Sequence, residues 1–307
     1  MLQQKANYIE TRGIMEQLMI AGIGELLWDV LGDVEKLGGA PVNFTFYINS
    51  LGAKGIPIST IGEDARGQRA LDELASHGIF TDGLSFDSLH PTGYVNANVD
   101  TDGVAYYSFP DDVAWDHLRI NDAALSILND LKAVCFGTLA QRSSVSRSAI
   151  HHFLDQLSDT VLKVYDINLR QHYYDRKIID TSFEQCNVIK LNEEELQVVQ
   201  KMLGLPEEER SAVFSLITTY NLKLAVITQG KNGSLLLTPT EISEHSGFPS
   251  KVVDTIGAGD AFTAATTLGY LLEHDLDTIN EHANRLAAYV CTQRGAMPAI
   301  PAEFKLD

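Results

Sequence analysis

The segment Asp254-Thr-Ile-Gly-Ala-Gly-Asp260, followed by a helix-like stretch rich in small residues over 261–273, is the most informative part of this chain. A glycine-rich turn that leads into a helix exposes unpaired N–H groups at the positive end of the helix dipole. Such an end binds anions, and phosphate is the natural guest. Asp260 could then accept a hydroxyl proton beside the phosphate. A tight turn with Asp260 stabilising the helix start explains the same residues, so both interpretations stay open at this point.

The composition is that of an ordinary globular protein. The chain has 307 residues, 45% of them hydrophobic and 21% charged, with a mean hydropathy of -0.04. At about 150 residues per domain this length predicts one large α/β unit or two smaller ones. The 23 basic and 41 acidic residues give a formal charge of -18. Because such a field repels phosphate backbones and anionic lipids, nucleic-acid and membrane partners are not expected.

The cysteines bear on the cellular location, and the apolar runs bear on whether a segment could cross a membrane. Cys135, Cys186 and Cys291 are far apart and include no Cys-x-x-Cys pair that could bind zinc or form a redox couple, which favours a reducing cytoplasm. No uninterrupted apolar run approaches the roughly 20 residues of a membrane helix. We expect residues 1–14 to be an accessory tail and residues 15–307 to form a single domain.

From Leu18 onward, short apolar runs alternate with longer stretches of helical period, which predicts an α/β protein. Continuous apolar runs suit strands covered on both faces of a sheet. The helix-like stretches cover 68–77, 144–157 and 193–203. The predicted inner strands are 18–23, 56–61, 133–136, 162–167, 188–191 and 224–228.

Residues 94–109 break that rhythm. Polar and apolar residues alternate on both sides of Asp100-Thr-Asp-Gly103, which predicts a β-hairpin. With a strand near 30–38, this hairpin, within 92–110, would form a small β lid over the ligand edge of the sheet. Exposed lid strands commonly pair with a second subunit, so a homodimer through the lid is a further expectation.

The run 254–260 resembles the C-terminal signature of the ribokinase-like (PfkB) family of carbohydrate kinases, and further motifs follow in the family's order from about Met19. The resemblance implies a three-layer α/β/α sandwich with a mainly parallel central sheet and a small β-strand lid. It also implies ATP-dependent phosphorylation of a sugar hydroxyl. In that family the counterpart of Asp254 helps to close the site, the amides of Gly257, Ala258 and Gly259 form an anion hole, and Asp260 is the catalytic base.

Other motifs imply the sugar-binding side. Gly38-Gly-Ala-Pro-Val-Asn43 resembles the family's N-terminal signature, although a turn with Asn43 as a helix cap is the competing explanation. Gly24-Glu-Leu-Leu-Trp-Asp29 resembles a strand-end segment that supplies an Asp, and Asp166-Ile-Asn-Leu-Arg170 supplies an Arg suited to bidentate contacts. The implied substrate-binding residues are Asp29, Gly39, Asn43, Asn96, Tyr106, Arg170 and Asp254.

The nucleotide side follows the same comparison. Asn192-Glu-Glu-Glu195 resembles a motif that acts on Mg²⁺ and phosphate largely through water, with Glu195 as the metal residue, but it also fits an ordinary helix start. Thr228-Gln-Gly-Lys-Asn-Gly233 resembles a nucleotide turn and equally fits a hairpin turn. Residues 294–298 resemble a loop that helps hold a monovalent cation. The resemblance therefore implies K⁺ as a cofactor beside ATP and Mg²⁺. The implied ATP-binding residues are Lys190, Asn192, Thr228, Gly230, Gly233, Gly257, Gly259 and Asn284.

Within the family, residues 24–29, 38–43, 135–142 and 166–170 are most similar to bacterial fructokinases. The resemblance therefore implies D-fructose as acceptor and fructose 6-phosphate as product. Ribose, 2-keto-3-deoxygluconate or a nucleoside remain alternatives, and a non-catalytic sugar sensor is the contrasting class. Retention of Asp260 and of the Gly-Ala-Gly turn counts against the sensor.

Overall fold

The computed structural model describes Met15, residues 17–99 and residues 105–306, with side chains at all of these positions except 97–99 and 105–107. The predicted tail at 1–14 and the predicted hairpin turn at 100–103 therefore lie outside the described residues. Among the described helices, none is both long enough and apolar enough to cross a lipid bilayer.

Strands of the described chain fall into two sheets. A nine-stranded central sheet has the order β13-β12-β11-β10-β9-β8-β1-β4-β5, and a four-stranded sheet, called the lid below, has the order β3-β2-β6-β7. In chain order the strands are β1 (Met19–Ile23), β2 (Leu27–Leu31), β3 (Val34–Gly38), β4 (Lys54–Gly62), β5 (Leu84–Asp87), β6 (Gly93–Val99), β7 (Ala105–Ser108), β8 (Leu131–Phe136), β9 (Leu162–Asp166), β10 (Val188–Asn192), β11 (Leu224–Thr228), β12 (Ser234–Leu237) and β13 (Ile242–His245).

Helices cover both faces of the central sheet. They are α1 (Ala40–Leu51), α2 (Ala65–Ser76), α3 (Asp122–Ser126), α4 (Ser144–Asp155), α5 (Arg176–Gln185), α6 (Glu193–Leu203), α7 (Glu209–Tyr220), α8 (Ala258–Leu271) and α9 (Leu276–Cys291). Apolar side chains of α1, α2, α8 and α9 form one buried core, and those of α4 to α7 form the other. This arrangement confirms the predicted three-layer α/β architecture.

The predicted inner strands are confirmed as β1, β4, β8, β9, β10 and β11. Along the central sheet, in the order β5-β4-β1-β8-β9-β10-β11, each strand runs parallel to its neighbour. Only the antiparallel β12 and β13 depart from this direction. Because parallel connections bring the carboxyl ends of these strands to one edge, the side chains that follow them converge there. The predicted helices correspond to α2, α4 and α6.

The lid has one strand more than the sequence predicts. Residues 93–99 and 105–108 pair antiparallel as β6 and β7. Near 30–38, however, the chain forms two strands, β2 and β3, joined by a turn in which Gly32 has a φ of 58°. Asp29 therefore lies within a lid strand and not at the end of a central strand. A homodimer through the lid stays a prediction.

Candidate active site

A cavity of about 540 Å³ lies at the carboxyl edge of the central sheet, where the lid strands face it. Leu27, Asp29 and Val95 line it from the lid, while residues in or after β9, β10 and β11 line it from the sheet. Open α/β sheets bind their ligands at this edge. The predicted site residues that line the cavity are Asp29, Gly39, Asn43, Arg170, Lys190, Asn192, Glu195, Thr228, Gly257, Gly259 and Asp260.

Helix α8 begins at this cavity with a glycine turn. Gly257 is its N-cap residue with a φ of 80°, and it has no side chain that could occupy the first N–H groups of the helix. A Cβ at Gly257 would clash with the carbonyl oxygen of Ala296 and would lie 2.9 Å from the hydroxyl oxygen of Tyr47. The turn thus requires glycine both for its conformation and for its close packing. The N–H of Ala258 donates to the carbonyl oxygen of Thr255 at 3.3 Å, so within this turn the N–H groups of Gly257 and Gly259, together with the positive dipole end, are the features suited to an anion.

Asp260 lies in the first turn of α8 and contacts the N-terminal half of the chain. The side-chain amide of Asn43 donates a hydrogen bond of 2.8 Å to Oδ2 of Asp260. Burial and the nearby charge of Asp166 raise the pKa of Asp260 to about 6, against the lowering effects of Asn43, Lys190 and Arg170. Asp260 also lines the cavity. Asn43 itself lies inside α1, so the alternative that it caps this helix is wrong.

We expect the acid limb of the pH profile of kcat/KM to follow the ionisation of Asp260. A base must be ionised to accept a proton, so kcat/KM should fall as the pH drops through the Asp260 pKa of about 6. Replacing Asn43 by alanine removes a hydrogen bond that lowers this pKa, and the midpoint should move to higher pH. Steady-state kinetics of both proteins from pH 5 to 8 measure the shift.

Asn49→Ala provides the matched control for that experiment. Asn49 is on the same helix, but its amide donates to the backbone oxygens of Thr45 and Gly55, away from the cavity. The Asn49→Ala variant should keep the parent protein's midpoint in the pH profile of kcat/KM. An unchanged midpoint in Asn43→Ala would contradict Asp260 as the titrating base.

A buried ion pair lies beneath the helix start. Lys190 Nζ is 3.0 Å from Asp166 Oδ1, and both residues are more than nine-tenths buried. The hydroxyl of Thr263 on α8 donates to Oδ2 of Asp166 at 2.8 Å. Burial disfavours the charged amine, but Asp166, Glu195 and Asp260 together raise the pKa of Lys190. The amine therefore stays positive at the cavity floor, beside Gly259.

Glu195 and Asn192 form the start of α6. The Asn192 side chain accepts from the backbone N–H of Glu195, and Glu195 Oε2 accepts from the backbone N–H of Asn192, each at 2.8 Å. Glu195 Oε1 also accepts from the N–H of Leu169 at 3.0 Å. The helix-start interpretation is thus correct as local structure. Both residues line the cavity, and a carboxylate oxygen that accepts one hydrogen bond can accept another, so this oxygen-rich set fits hydrogen bonds from Mg²⁺-bound water better than direct ligation.

Two further carboxylates line the cavity, one just after β1 and one in the lid strand β2. Burial raises the pKa of Asp29 to about 6, although Arg170 and Lys36 lower it. Burial likewise raises the pKa of Glu25 to about 7, partly offset by backbone N–H groups and by Arg170. Carboxyl groups that exchange protons near neutral pH can either donate to or accept from hydroxyls. This part of the cavity suits a polyhydroxylated ligand.

Several predicted site residues lie outside the cavity wall. Asp254 accepts from the N–H groups of Ile256 and Gly295, each at 3.0 Å, and so joins two loops beside the site. Asn284 is buried, and its amide donates to Ser234 and Asn280. Gly230 and Gly233 lie in the hairpin between β11 and β12, Asn96 lies in the lid, and Ala258 lies between its lining neighbours. The side chain of Tyr106 is outside the described residues.

Sequence reasoning assigned no role to Glu25, Asp166 or Asn168. Glu25 and Asn168 line the cavity, and Asp166 holds Lys190 below it. All three lie within motifs noted for other residues. Their position at or just after the ends of β1 and β9 is the signal that could have indicated them, since side chains there face the ligand edge.

Comparisons with known proteins agree with this geometry. A family model described as pfkB family carbohydrate kinase matches residues 23–303. The Arabidopsis thaliana protein named "Probable fructokinase-4" is 27% identical over 318 residues, which cover 95% of this chain and 96% of the relative.

Solved structures give the same fold. A crystal structure of an uncharacterized sugar kinase from Pyrococcus horikoshii in complex with ATP has a TM-score of 0.78 at 28% identity, covering 91% of this chain and 94% of that one. A fructokinase from Xylella fastidiosa with bound ATP has a TM-score of 0.82 at 22% identity, covering 93% and 95%. The predicted ribokinase-like fold is confirmed.

Proposed function

Because the chain belongs to the pfkB family of carbohydrate kinases, we propose that it transfers the γ-phosphoryl group of ATP to a hydroxyl of D-fructose and releases fructose 6-phosphate. Sugar kinase activity with ATP follows from the family. The choice of fructose and the roles of individual residues are our proposal.

One observation supports the mechanism most strongly. Asp260, with a hydrogen bond from Asn43 on Oδ2, lies within the same helix turn that offers N–H groups to an anion. A carboxylate that could accept a proton and a helix start suited to phosphate thus lie side by side in one cavity. This is the arrangement that phosphoryl transfer to an alcohol needs, since positioning and charge stabilisation supply most of the catalysis.

The reaction then proceeds as follows. Ionised Asp260 accepts the proton of the acceptor hydroxyl as its oxygen forms a bond to the γ-phosphorus. The bond from that phosphorus to the β,γ-bridging oxygen breaks, and ADP leaves with the electron pair. The N–H groups at Gly257 and Gly259 and the ammonium of Lys190 stabilise charge on the phosphoryl oxygens. Arg170, at the exposed rim, adds a guanidinium that suits phosphate.

Magnesium is the metal that this chemistry calls for. Mg²⁺ neutralises phosphate charge when it is bound with ATP. Glu195 and Asn192 would hold its water shell, because both residues line the cavity and their hydrogen bonds to backbone N–H groups keep the side chains in place. Residues 294–298 remain the proposed neighbourhood of K⁺.

Fructose is favoured by two lines of support. Relatives and solved structures of matching length include proteins named as fructokinases. Glu25, Asp29 and Asn43 form a hydrogen-bonding wall that suits several hydroxyls of one small sugar. The close packing of this wall requires glycine at position 39. Gly39 has a φ of 111°, and a Cβ on it would clash with the carbonyl oxygen of Glu25.

An ADP-release assay with Mg²⁺ and ATP over fructose, ribose, 2-keto-3-deoxygluconate, glucose and adenosine tests this proposal. Each acceptor is assayed both with and without K⁺. We expect fructose to give the highest kcat/KM. A different preferred sugar would overturn fructose but keep the mechanism. Sugar binding by calorimetry without turnover of any acceptor would favour the sensor class instead.

A further inference from the structure

A cluster of two histidines and an aspartate lies outside the active-site cavity. His117 Nε2 is 2.7 Å from Asp112 Oδ1, and His90 Nε2 is 3.6 Å from the same oxygen. The three potential ligand atoms all lie within 4.8 Å of one another. None of the three residues lines the active-site cavity. Two imidazoles and a carboxylate are a donor set that Zn²⁺ and its neighbours in the first transition row prefer, whereas Mg²⁺ prefers oxygen alone.

A buried carboxylate orients one of the two histidines. Asp87 Oδ2 is 3.0 Å from His90 Nδ1, and Asp87 also accepts from the backbone N–H groups of Leu89 and His90. Because a carboxylate only accepts, Nδ1 carries the proton and the lone pair of a neutral His90 is on Nε2, facing Asp112. Metal-binding histidines characteristically donate their second N–H to a carboxylate in this way.

The separations suit a single ion. In a tetrahedral site with bonds of about 2.0–2.1 Å, ligand atoms are about 3.3–3.4 Å apart. The observed 2.7 Å and 3.6 Å lie on either side of that value. The rings of His90 and His117 stack with centroids 3.6 Å apart and an interplanar angle of 11°, so they have to tilt apart to direct both lone pairs at one ion. Their side chains are 20% and 29% exposed, which leaves room for that movement.

The cluster joins the two chain segments that enter and leave the lid hairpin. His90 precedes β6, whereas Asp112 and His117 follow β7. The backbone N–H of Ala114 donates to the carbonyl of Pro91 at 2.8 Å, so the two segments already touch there. We propose that His90, Asp112 and His117 bind one transition-metal dication, which clamps the base of the lid. This site does not depend on the proposed sugar specificity.

Metal titration of the tag-free, chelator-treated full chain tests the site. Calorimetry with Zn²⁺ and visible absorption with Co²⁺ should both show one saturable equivalent that excess Mg²⁺ does not displace. His90→Ala, His117→Ala and Asp112→Asn should each weaken the affinity by tenfold or more. Asp87→Asn should weaken it by about 10–100-fold, as removal of a supporting carboxylate typically does.

Matched controls separate this site from adventitious binding. His152 on α4 is exposed, and Cys291 is the only partly exposed cysteine, so His152→Ala and Cys291→Ser should bind as the parent does. Circular dichroism checks that each variant is folded. If His117→Ala does not fold, His117→Asn, a milder change at a partly exposed position, takes its place. Absence of saturable binding, or equal binding by parent and folded His90→Ala and His117 variants, would overturn the proposal.

Discussion

Replacing Asp260 by asparagine should lower kcat by about 10²–10⁴-fold, the contribution typical of a positioned general base. Asparagine keeps the size of the side chain, and its amide oxygen can still accept the hydrogen bond from Asn43. The variant therefore loses the proton acceptor with little change in shape. Fructose binding, measured by calorimetry, should be largely retained while ADP release is lost.

The competing explanation is that Asp260 only stabilises the start of α8, and a second aspartate tests it. Asp275 caps α9 by accepting from the N–H of Thr278 at 2.9 Å, far from the cavity wall. Asp275→Asn should keep normal turnover. If Asp260→Asn reduced kcat by less than tenfold, or no more than Asp275→Asn does, the assignment of the base would be wrong.

Replacing Lys190 by methionine should lower the free energy of unfolding by about 3–5 kcal/mol, the usual cost of leaving one partner of a buried ion pair alone. Lys190 is 7% exposed and Asp166 4% exposed, so the Asp166 carboxylate would be left largely buried without its ammonium partner. Asp166 would keep only the hydroxyl of Thr263 among its side-chain donors in the described structure. Chemical denaturation at neutral pH measures the loss.

A double-mutant cycle with Asp166→Asn separates the ion pair from side-chain packing. Once Asp166 is neutral, Lys190→Met no longer leaves the Asp166 carboxylate without its partner, so its cost should fall below the single-variant value. Lys163→Met is the control on the neighbouring strand β9, where the lysine is partly exposed, and a change within about 0.5 kcal/mol is expected. Equal costs of Lys190→Met in both backgrounds would contradict a stabilising pair.

Most of the fold could be predicted because its signals are local. Mainly apolar runs mark strands that are covered on both faces, and β1, β4, β8, β9, β10 and β11 all carry such a run. The lid strands β2 and β3 were harder to predict. Their turn at Gly32 and Asp33 interrupts a segment of mixed polarity, and pairing with β6 decides which residues form strand.

Site residues divide in the same way. The glycine turn at 257–259 and the acidic start of α6 are contiguous motifs, and each lines the cavity. Asn284 matched only by its place in the chain, and its buried amide donates a hydrogen bond to Ser234. Chain position specifies an element, but the packing of neighbouring elements decides where its side chains point.

By itself, the sequence determined the α/β class, the strand ends that carry polar residues and the glycine turn before Asp260. These features depend on local periodicity, on glycine conformation and on residues adjacent in the chain. Only the tertiary structure decided that Asn43 contacts Asp260, that Lys190 pairs with Asp166, and that Glu25 faces the same cavity. Each depends on distant segments meeting at one sheet edge, where burial sets the charge and pKa of side chains that no local pattern connects.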